Sequence, residues 1–322
     1  MSRASVPQVV VLAGGVGGAK FAYGLMKALP DHRALTVIVN VGDDFEHWGL
    51  KICPDLDTVC YTLAEMENPE TGWGRREESW RVLAEVERLG GPGWFRIGDL
   101  DLATHLQRTM RLRKGEPLSA VVADFCRAWG VAARVLPVTD DPVPTWVLTE
   151  EGALPFQTYF VQRGWQPRVR GFRFHRAAEA RPAPGVLEAI RIANVVFVAP
   201  SNPFISIDPI LAIPHVRSAL GGKTVIAVSP IVGGQALKGP AAKMFRELGW
   251  EPSALAVAHH YRGLATHLVI DRRDAAQADA AAAALGGEVW VADTVMSTPA
   301  RRVAFAADLL RRWRQAKGFS EA

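Results

Sequence analysis

The sequence predicts an α/β fold: a Rossmann-like, three-layer parallel sheet carrying a smaller α+β insertion. Three observations lead there. Short, continuous apolar runs rich in β-branched residues, such as Val9-Val10-Val11-Leu12-Ala13, recur along the chain and suit strands buried on both faces. Stretches with apolar residues at helical spacing separate these runs. Several runs end in Gly, Asp, Ser, Asn or Pro, after positions 13, 39, 199 and 228, and open parallel sheets bind ligands beyond the carboxyl ends of their strands.

Size and composition agree with such a fold. The chain has 322 residues, 49% hydrophobic and 22% charged, which supports a full core and argues against disorder. A net charge of +4 suits an anionic small molecule and gives no case for a nucleic-acid groove. The three cysteines, Cys53, Cys60 and Cys126, match no zinc spacing and read as reduced, buried thiols. No apolar run approaches a membrane span, and residues 9–13 are too short for a signal-peptide core, so the expected compartment is cytoplasmic.

The first strand, 9–13, runs into Gly14-Gly15-Val16-Gly17-Gly18-Ala19-Lys20. Phe21, Leu25 and Leu29 then repeat at helical spacing until Pro30. Strand, glycine turn and helix start are the context in which backbone N–H groups face a phosphate. The motif lacks the third glycine of a dinucleotide fingerprint and the Ser or Thr of a Walker loop. It also reads as a tight, close-packed turn, and Lys20 reads either as a phosphate contact or as the first solvated residue of the helix.

A second strand begins at Leu35. The segment from Asn40 to Thr58 follows and gathers Asp43, Asp44, Asp55 and Asp57. Asp43, Asp44 and Asp55 are candidate ligands for a hard cation such as Mg2+, which takes oxygen donors and bridges carboxylate to phosphate. Turn formation by Asp43 and Asp44, and capping by Asp57 of a helix beginning near it, compete with that reading. Trp80, Leu83, Val86 and Leu89 mark an amphipathic helix. The stretch from Trp94 to His105 then places Arg96, Asp99, Asp101 and His105 around another helix start, where Asp101 suits an N-cap and His105 a helix face.

A helix over 118–129 and a strand over 134–137 close the first half. Prolines then interrupt 142–184, with strand-like pieces at 146–149, 156–162 and 169–174. The core is expected over 1–137 and 185–322, and the insertion over 138–184. Arg163, Arg168, Arg170, Arg173 and Arg176 read as a solvated face. The α/β rhythm returns with a helix at 186–193 and strands at 195–199 and 224–228. Their ends carry Ser201, Asn202, Ser229 and Gly233. Residues 254–258 and 268–270 read as further strands, and 275–285 as a packed helix. The last helix buries Val303, Ala306, Leu310 and Trp313 and leaves Arg301, Arg302, Arg311, Arg312 and Arg314 in solvent.

Six motifs in order resemble one family: 14–20, Asn-Val-Gly-Asp-Asp at 40–44, Cys-Pro-Asp-Leu-Asp-Thr at 53–58, Gly-Asp-Leu-Asp-Leu-Ala-Thr-His at 98–105, Ser-Asn-Pro at 201–203 and Ser-Pro-Ile-Val-Gly at 229–233. From about Val9 to about Thr298 the chain resembles the 2-phospho-L-lactate transferase family of deazaflavin coenzyme (coenzyme factor-420) biosynthesis, its bacterial and actinobacterial branch most closely. The resemblance implies transfer from a guanosine diphosphate ester of lactate or enolpyruvate. The acceptor that the resemblance implies is the terminal ribityl hydroxyl of the deazaflavin riboside Fo (7,8-didemethyl-8-hydroxy-5-deazariboflavin). It also implies release of GMP, use of Mg2+ and a homodimer. By motif alignment, Asp57 and Arg96 fall on the residues that contact the deazaflavin, although the family usually has Lys or Glu at or near the second position.

Phosphoryl transfer needs positioning and charge neutralisation more than covalent catalysis, and these residue types supply both. Asp57 is the first candidate to orient the hydroxyl or accept its proton, with Asp55 the second. Gly14, Gly15, Gly17, Gly18, Lys20, Asn40, Asp57, Arg96, Asp99, Asp101, His105, Ser201, Asn202, Ser229 and Gly233 are the candidate contacts for the two substrates. A nucleotide-sugar-binding regulator of the same superfamily is the alternative from another class. A nicotinamide oxidoreductase rests only on the glycine turn and the α/β pattern.

Overall fold

The computed structural model describes residues 6–318. β1 (Val9–Ala13) is buried along its whole length and passes through Gly14 into α1 (Gly15–Ala28). The Leu29 N–H closes that helix on the Leu25 carbonyl at 3.1 Å, and Pro30, which has no N–H to continue the ladder, stops it. β2 (Leu35–Val39) is followed by a short hairpin, β3 (Phe45–His47) with β4 (Leu50–Ile52). α2 (Pro54–Leu63) opens on Pro54, a residue whose fixed φ and missing N–H suit the first helical position. The helix therefore starts three residues before Asp57, and Asp55 and Asp57 both lie in its first turn.

α3 (Arg81–Arg88), α4 (Asp99–Arg113) and α5 (Leu118–Ala128) lead to β5 (Arg134–Pro137). Then come β6 (Thr145–Thr149), β7 (Gly152–Pro155) and β8 (Val169–Phe174). The second half runs α6 (Val186–Ile192), β9 (Val195–Val198), α7 (Asp208–Leu211), α8 (Val216–Ala219), β10 (Val225–Val228) and a small hairpin, β11 (Ile231–Val232) with β12 (Gln235–Ala236). It ends with α9 (Ala241–Glu247), α10 (Ala254–His260), β13 (His267–Asp271), α11 (Ala278–Leu285), β14 (Glu288–Ala292) and α12 (Pro299–Ala316).

Seven strands form one sheet in the order β14-β13-β10-β9-β1-β2-β5. Every neighbouring pair is parallel. Parallel neighbours need crossover helices, and these cover both faces, which is why the strand sequences are apolar runs and not alternating ones. The chain builds outward from β1 through β2 to β5, then returns to the other side of β1 with β9. The order thus reverses between β1 and β9, the place where an open sheet leaves a crevice at its carboxyl edge. β7, β6 and β8 form a separate antiparallel sheet, whose Val147 and Val169 join the common core. No helix among the described residues is long and apolar enough to cross a membrane.

Local expectations differ from the structure at several places. Residues 254–258, expected as a strand, are helical in α10, whose first turn is capped by the Ser253 hydroxyl accepting the Ala256 N–H at 3.0 Å. A five-residue apolar run carries no period, so the cap decides. Within 156–162, expected as a strand, residues Thr158–Gln162 form a π-helical turn instead, and the strand beside β6 is Gly152–Pro155. Arg302, expected in solvent, is buried and pairs with Glu67 at 3.0 Å. It is held there because α12 packs directly on α1: a side chain at Gly24 would place its Cβ 2.2 Å from the Arg302 carbonyl. Arg163, Arg168, Arg170, Arg173 and Arg176 are all exposed, as expected of a solvated face, and Arg163 and Arg170 pair with Glu151 and Glu150. All three cysteines are free and buried.

Candidate active site

A cavity of about 800 Å³ opens at the β1–β9 crevice. Its walls come from the segments that follow β1, β2, β9, β10 and β14, and from α2, α4 and the π-helical turn near Phe160. Residues far apart in the sequence meet here because every main-sheet strand ends on the same edge.

The glycine turn and the acidic helix are in direct contact. Gly14 offers no side-chain cap to α1, and the Gly15 N–H instead donates to Asp55 Oδ1 at 2.6 Å. Asp55 Oδ2 accepts from Asn40 Nδ2 at 2.9 Å. A carboxylate at a helix N-terminus is favoured by the unpaired amides and the helix dipole. The turn must be glycine for steric reasons: a Cβ at Gly14 would lie 2.4 Å from Asp55 Oδ2, and one at Gly17 would lie 2.5 Å from the Pro200 carbonyl. Ser201 ties the β9 exit to the same turn, its hydroxyl donating to the Gly14 carbonyl at 2.7 Å.

Asp43 and Asp55 form a buried pair. Burial pushes the Asp43 carboxyl well above its ordinary range, and the neighbouring Asp55 and Asp44 charges push it further. Burial also raises Asp55, to about 6, against the pull of its Asn40 and Gly15 hydrogen bonds. Among the described residues Asp43 Oδ1 has no hydrogen-bond partner. Two adjacent, dehydrated carboxylates with an unused oxygen make a donor set that a divalent cation would relieve. Asp44 is turned away from the cavity, where Lys51 Nζ at 3.0 Å and the Cys53 thiol at 3.0 Å engage it.

Asp57 heads a second buried cluster. Arg108 Nη2 pairs with Asp57 Oδ1, and Arg108 Nη1 donates to the Lys51 carbonyl at 3.2 Å. His105 lies between two carboxylates, Nδ1 3.7 Å from Asp57 Oδ2 and Nε2 3.3 Å from Asp101 Oδ2. The Tyr61 hydroxyl donates to Asp101 Oδ1 at 2.6 Å. Glu78 accepts the N–H groups of Leu100 and Asp101 at 2.8 Å each and so caps α4. Burial raises the Asp57 carboxyl despite the Arg108 charge. Burial is the strongest single influence on Asp101 and acts to raise it, but the bond and charge of His105, the Tyr61 hydroxyl and the Arg108 charge together hold it below the ordinary range. Asp57, Asp101 and His105 bring three ligand atoms within 4.8 Å of one another, a second place where an ion would fit.

Of the sequence candidates, Gly14, Gly15, Gly17, Lys20, Asp43, Asp55, Asp57, Arg96, Asp101, His105, Ser201, Asn202 and Ser229 line the cavity. Five do not. Gly18 packs against Ala13, and Asn40 is a buried brace for Asp55. Asp44 is engaged as described. Asp99 accepts from the Ser79 hydroxyl at 2.6 Å and the Val82 N–H at 3.1 Å, tying down the start of α3. Gly233 gives its N–H to Asp274 at 3.0 Å. Arg96 is exposed and stacks over Trp80 at 4.3 Å.

Sequence reasoning did not single out Arg108, although Asp101, His105 and Arg108 are spaced four and three apart and therefore share a helix face. Nor did it reach Lys238, the aromatic wall of Phe156 and Phe160, or the β14 exit at Thr294, which carry no local motif.

Comparison with known proteins shows the family and the fold. The family described as 2-phospho-L-lactate transferase CofD matches residues 9–306. A phosphoenolpyruvate transferase of Streptomyces griseus is 47% identical over 276 residues, 83% of this chain and 86% of the relative. One from Thermobifida fusca is 45% identical over 313 residues, 93% and 95% of the two chains. A crystal structure of a UPF0052 family member from Bacillus halodurans shares the fold, with a TM-score of 0.58 at 15% identity over 90% of this chain and 93% of that one. Extending across the glycine turn, the acidic helix and the strand exits that build the cavity, the match makes the chain a transferase of the 2-phospho-L-lactate transferase CofD family.

Proposed function

We propose that this enzyme moves a phosphoenolpyruvyl group, or its phospholactyl counterpart, from a guanosine diphosphate ester to the ribityl hydroxyl of the deazaflavin Fo. The hydroxyl oxygen attacks the phosphorus that carries the three-carbon acid. The bond to the bridging diphosphate oxygen breaks, GMP leaves with that oxygen, and the hydroxyl proton passes to a carboxylate. The observation that supports this reading is the 2.6 Å contact between the Gly15 amide and Asp55, which brings the glycine turn and the acidic cluster to one cavity. The names of the relatives favour the enolpyruvyl donor.

Within this reading, Asp57 orients the hydroxyl and takes its proton, with its other oxygen fixed by Arg108. The Val16 and Gly17 amides of the first turn face the diphosphate, since Gly15 is already engaged. Phe156, Phe160, Trp94 and Phe95 supply flat apolar walls for the deazaflavin ring. Asp43 and Asp55 would hold Mg2+, whose chemistry there is to neutralise charge on the phosphates. Their all-oxygen donor set suits that ion better than the histidine-containing cluster. Asp44, engaged by Lys51, is left out of the set. Residues 138–184 serve as a small lobe beside the site, and a cytoplasmic homodimer is the proposed working form.

The test is direct. Purified protein with Fo, a divalent cation and either guanylated donor should yield the phosphodiester and GMP by mass spectrometry, and the mass of the product names the acid. No product from either donor would overturn the proposal. The same-superfamily regulator then becomes the better reading, and calorimetry without Fo binding would support it.

A further inference from the structure

The corner of the cavity beside α1 gathers Lys20 and Lys238, and among the described residues no carboxylate forms an ion pair with either. Lys20 lines the cavity from the second turn of α1, half-buried. Burial, followed by the charges of Lys238 and Arg302, holds its ammonium below the ordinary value. Glu67, the one carboxylate that acts on it, is paired with Arg302 at 3.0 Å. Lys238 lies between β12 and α9, and its Nζ donates to the carbonyl of Thr71 at 2.9 Å. Two irregular segments meet at that bond. Gly72 and Gly239 turn there with φ of +75° and +72°, and a Cβ on Gly72 would lie 2.8 Å from Val16 and 3.3 Å from Lys238 Nζ. The glycine thus lets residues near 71 close over the phosphate-binding turn.

The charge of the exposed Lys238 disfavours the ammonium of the half-buried Lys20 until an anion arrives. A bond from an ammonium to a phosphate oxygen is stronger than one to a neutral carbonyl, so exchanging one for the other is favourable. We propose that Lys238, together with Lys20, binds the phosphates of the nucleoside-diphosphate ester, and that Lys238 leaves the Thr71 carbonyl for a phosphate oxygen when that ligand enters. The inference rests on the donor reading above and adds a residue to it.

GDP is the probe, titrated by calorimetry into full-length wild type, Lys238→Met, Lys20→Met and Lys238→Arg. Lys238→Met should bind GDP about ten- to a hundredfold more weakly, as loss of a charge-assisted contact requires. Its KM for the donor should rise similarly, with kcat changed only a few-fold and the KM for Fo unmoved. Lys238→Arg should restore most of the affinity. GDP affinity in Lys238→Met within twofold of wild type would overturn the assignment, and so would a fall in melting temperature with GDP affinity unchanged. Turnover by wild type with an unmoved donor KM in Lys238→Met refutes the lysine alone. Absence of turnover in wild type refutes the donor reading, while the GDP titration still reads the lysine.

Discussion

The acidic wall and the basic corner of the cavity are built on opposite plans. On the acidic side, Asp55, Asp57, Asp101, His105 and Arg108 are buried and braced by one another, by Tyr61 and by Asn40. Their geometry is held before any substrate arrives. On the basic side, Lys20 is half-buried and Lys238 exposed, and among the described residues neither pairs with a carboxylate of its own. The difference teaches where each kind of work is done. On the proposed mechanism, the groups that would orient a proton or a metal are locked by the core, because small displacements cost rate steeply. The groups proposed to capture an anion are left without ion pairs of their own among the described residues, because a preformed pair would have to be broken first.

The largest expected effect breaks the acidic side. Asp57→Asn keeps a hydrogen-bond acceptor for Arg108 but removes the charge, and kcat should fall on the order of a hundredfold or more. Wild-type turnover in this variant, measured with saturating Fo, would remove Asp57 from the chemistry. Arg108→Met leaves the Asp57 carboxylate buried without its partner. It should destabilise the fold by about 3–5 kcal/mol in denaturant titrations. A loss within error of zero would mean that the pair does not hold the wall together.

A smaller effect is expected where the two plans meet. Gly17→Ala puts a Cβ 2.5 Å from the Pro200 carbonyl, so the turn or the β9 exit must move. Overpacking of this kind costs about 1–3 kcal/mol. Here it should appear as a raised KM for the donor with little change for Fo, and equal rises in both would deny the turn its separate role.

The gentlest test uses pH. Asp55 titrates at about 6 in the folded protein, above its ordinary 3.8, so the folded state binds protons more readily than the unfolded one. Its contribution to stability is therefore present at low pH and is lost as pH rises through that window. In chelator, the melting temperature on this group's account should fall between pH 4 and pH 7. Asp55→Asn, which mimics the protonated form, should flatten the dependence, and Mg2+ should reverse it by favouring the ionised pair. A melting profile that is identical in Asp55→Asn would show that Asp55 is not the group responsible.

Much of the fold was legible because burial on both faces leaves a plain trace: 9–13, 134–137 and 195–199 are apolar runs bounded by turn residues, and each is a main-sheet strand or extends one residue past it. β14 was not legible, since Glu288–Ala292 lies at the sheet edge and is mostly exposed or half-buried, so nothing in its composition sets it apart. α10 and the turn near Phe160 failed for the reason that short apolar runs do not declare their period. At the site, Asp55 and Asp57 were readable from their density beyond a strand. The partner of Asp57 was not, because Arg108 lies 51 residues away and only the packing of α4 on the β3–β4 hairpin brings it in.

By itself the chain's order of residues determined the buried strands of the main sheet, the glycine turn, the concentration of acids and, through its motifs, the family. Those are properties of contiguous segments, set by local sterics and by which residues tolerate burial. Tertiary structure alone decided which acids face the cavity, that Asp55 rather than a phosphate takes the Gly15 amide, that Asp44 and Asp99 are engaged elsewhere, and that Lys238 sits opposite Lys20. Each of those depends on where a crossover returns the chain relative to β1, and close approach between distant segments is a property of the packed sheet that no single segment carries.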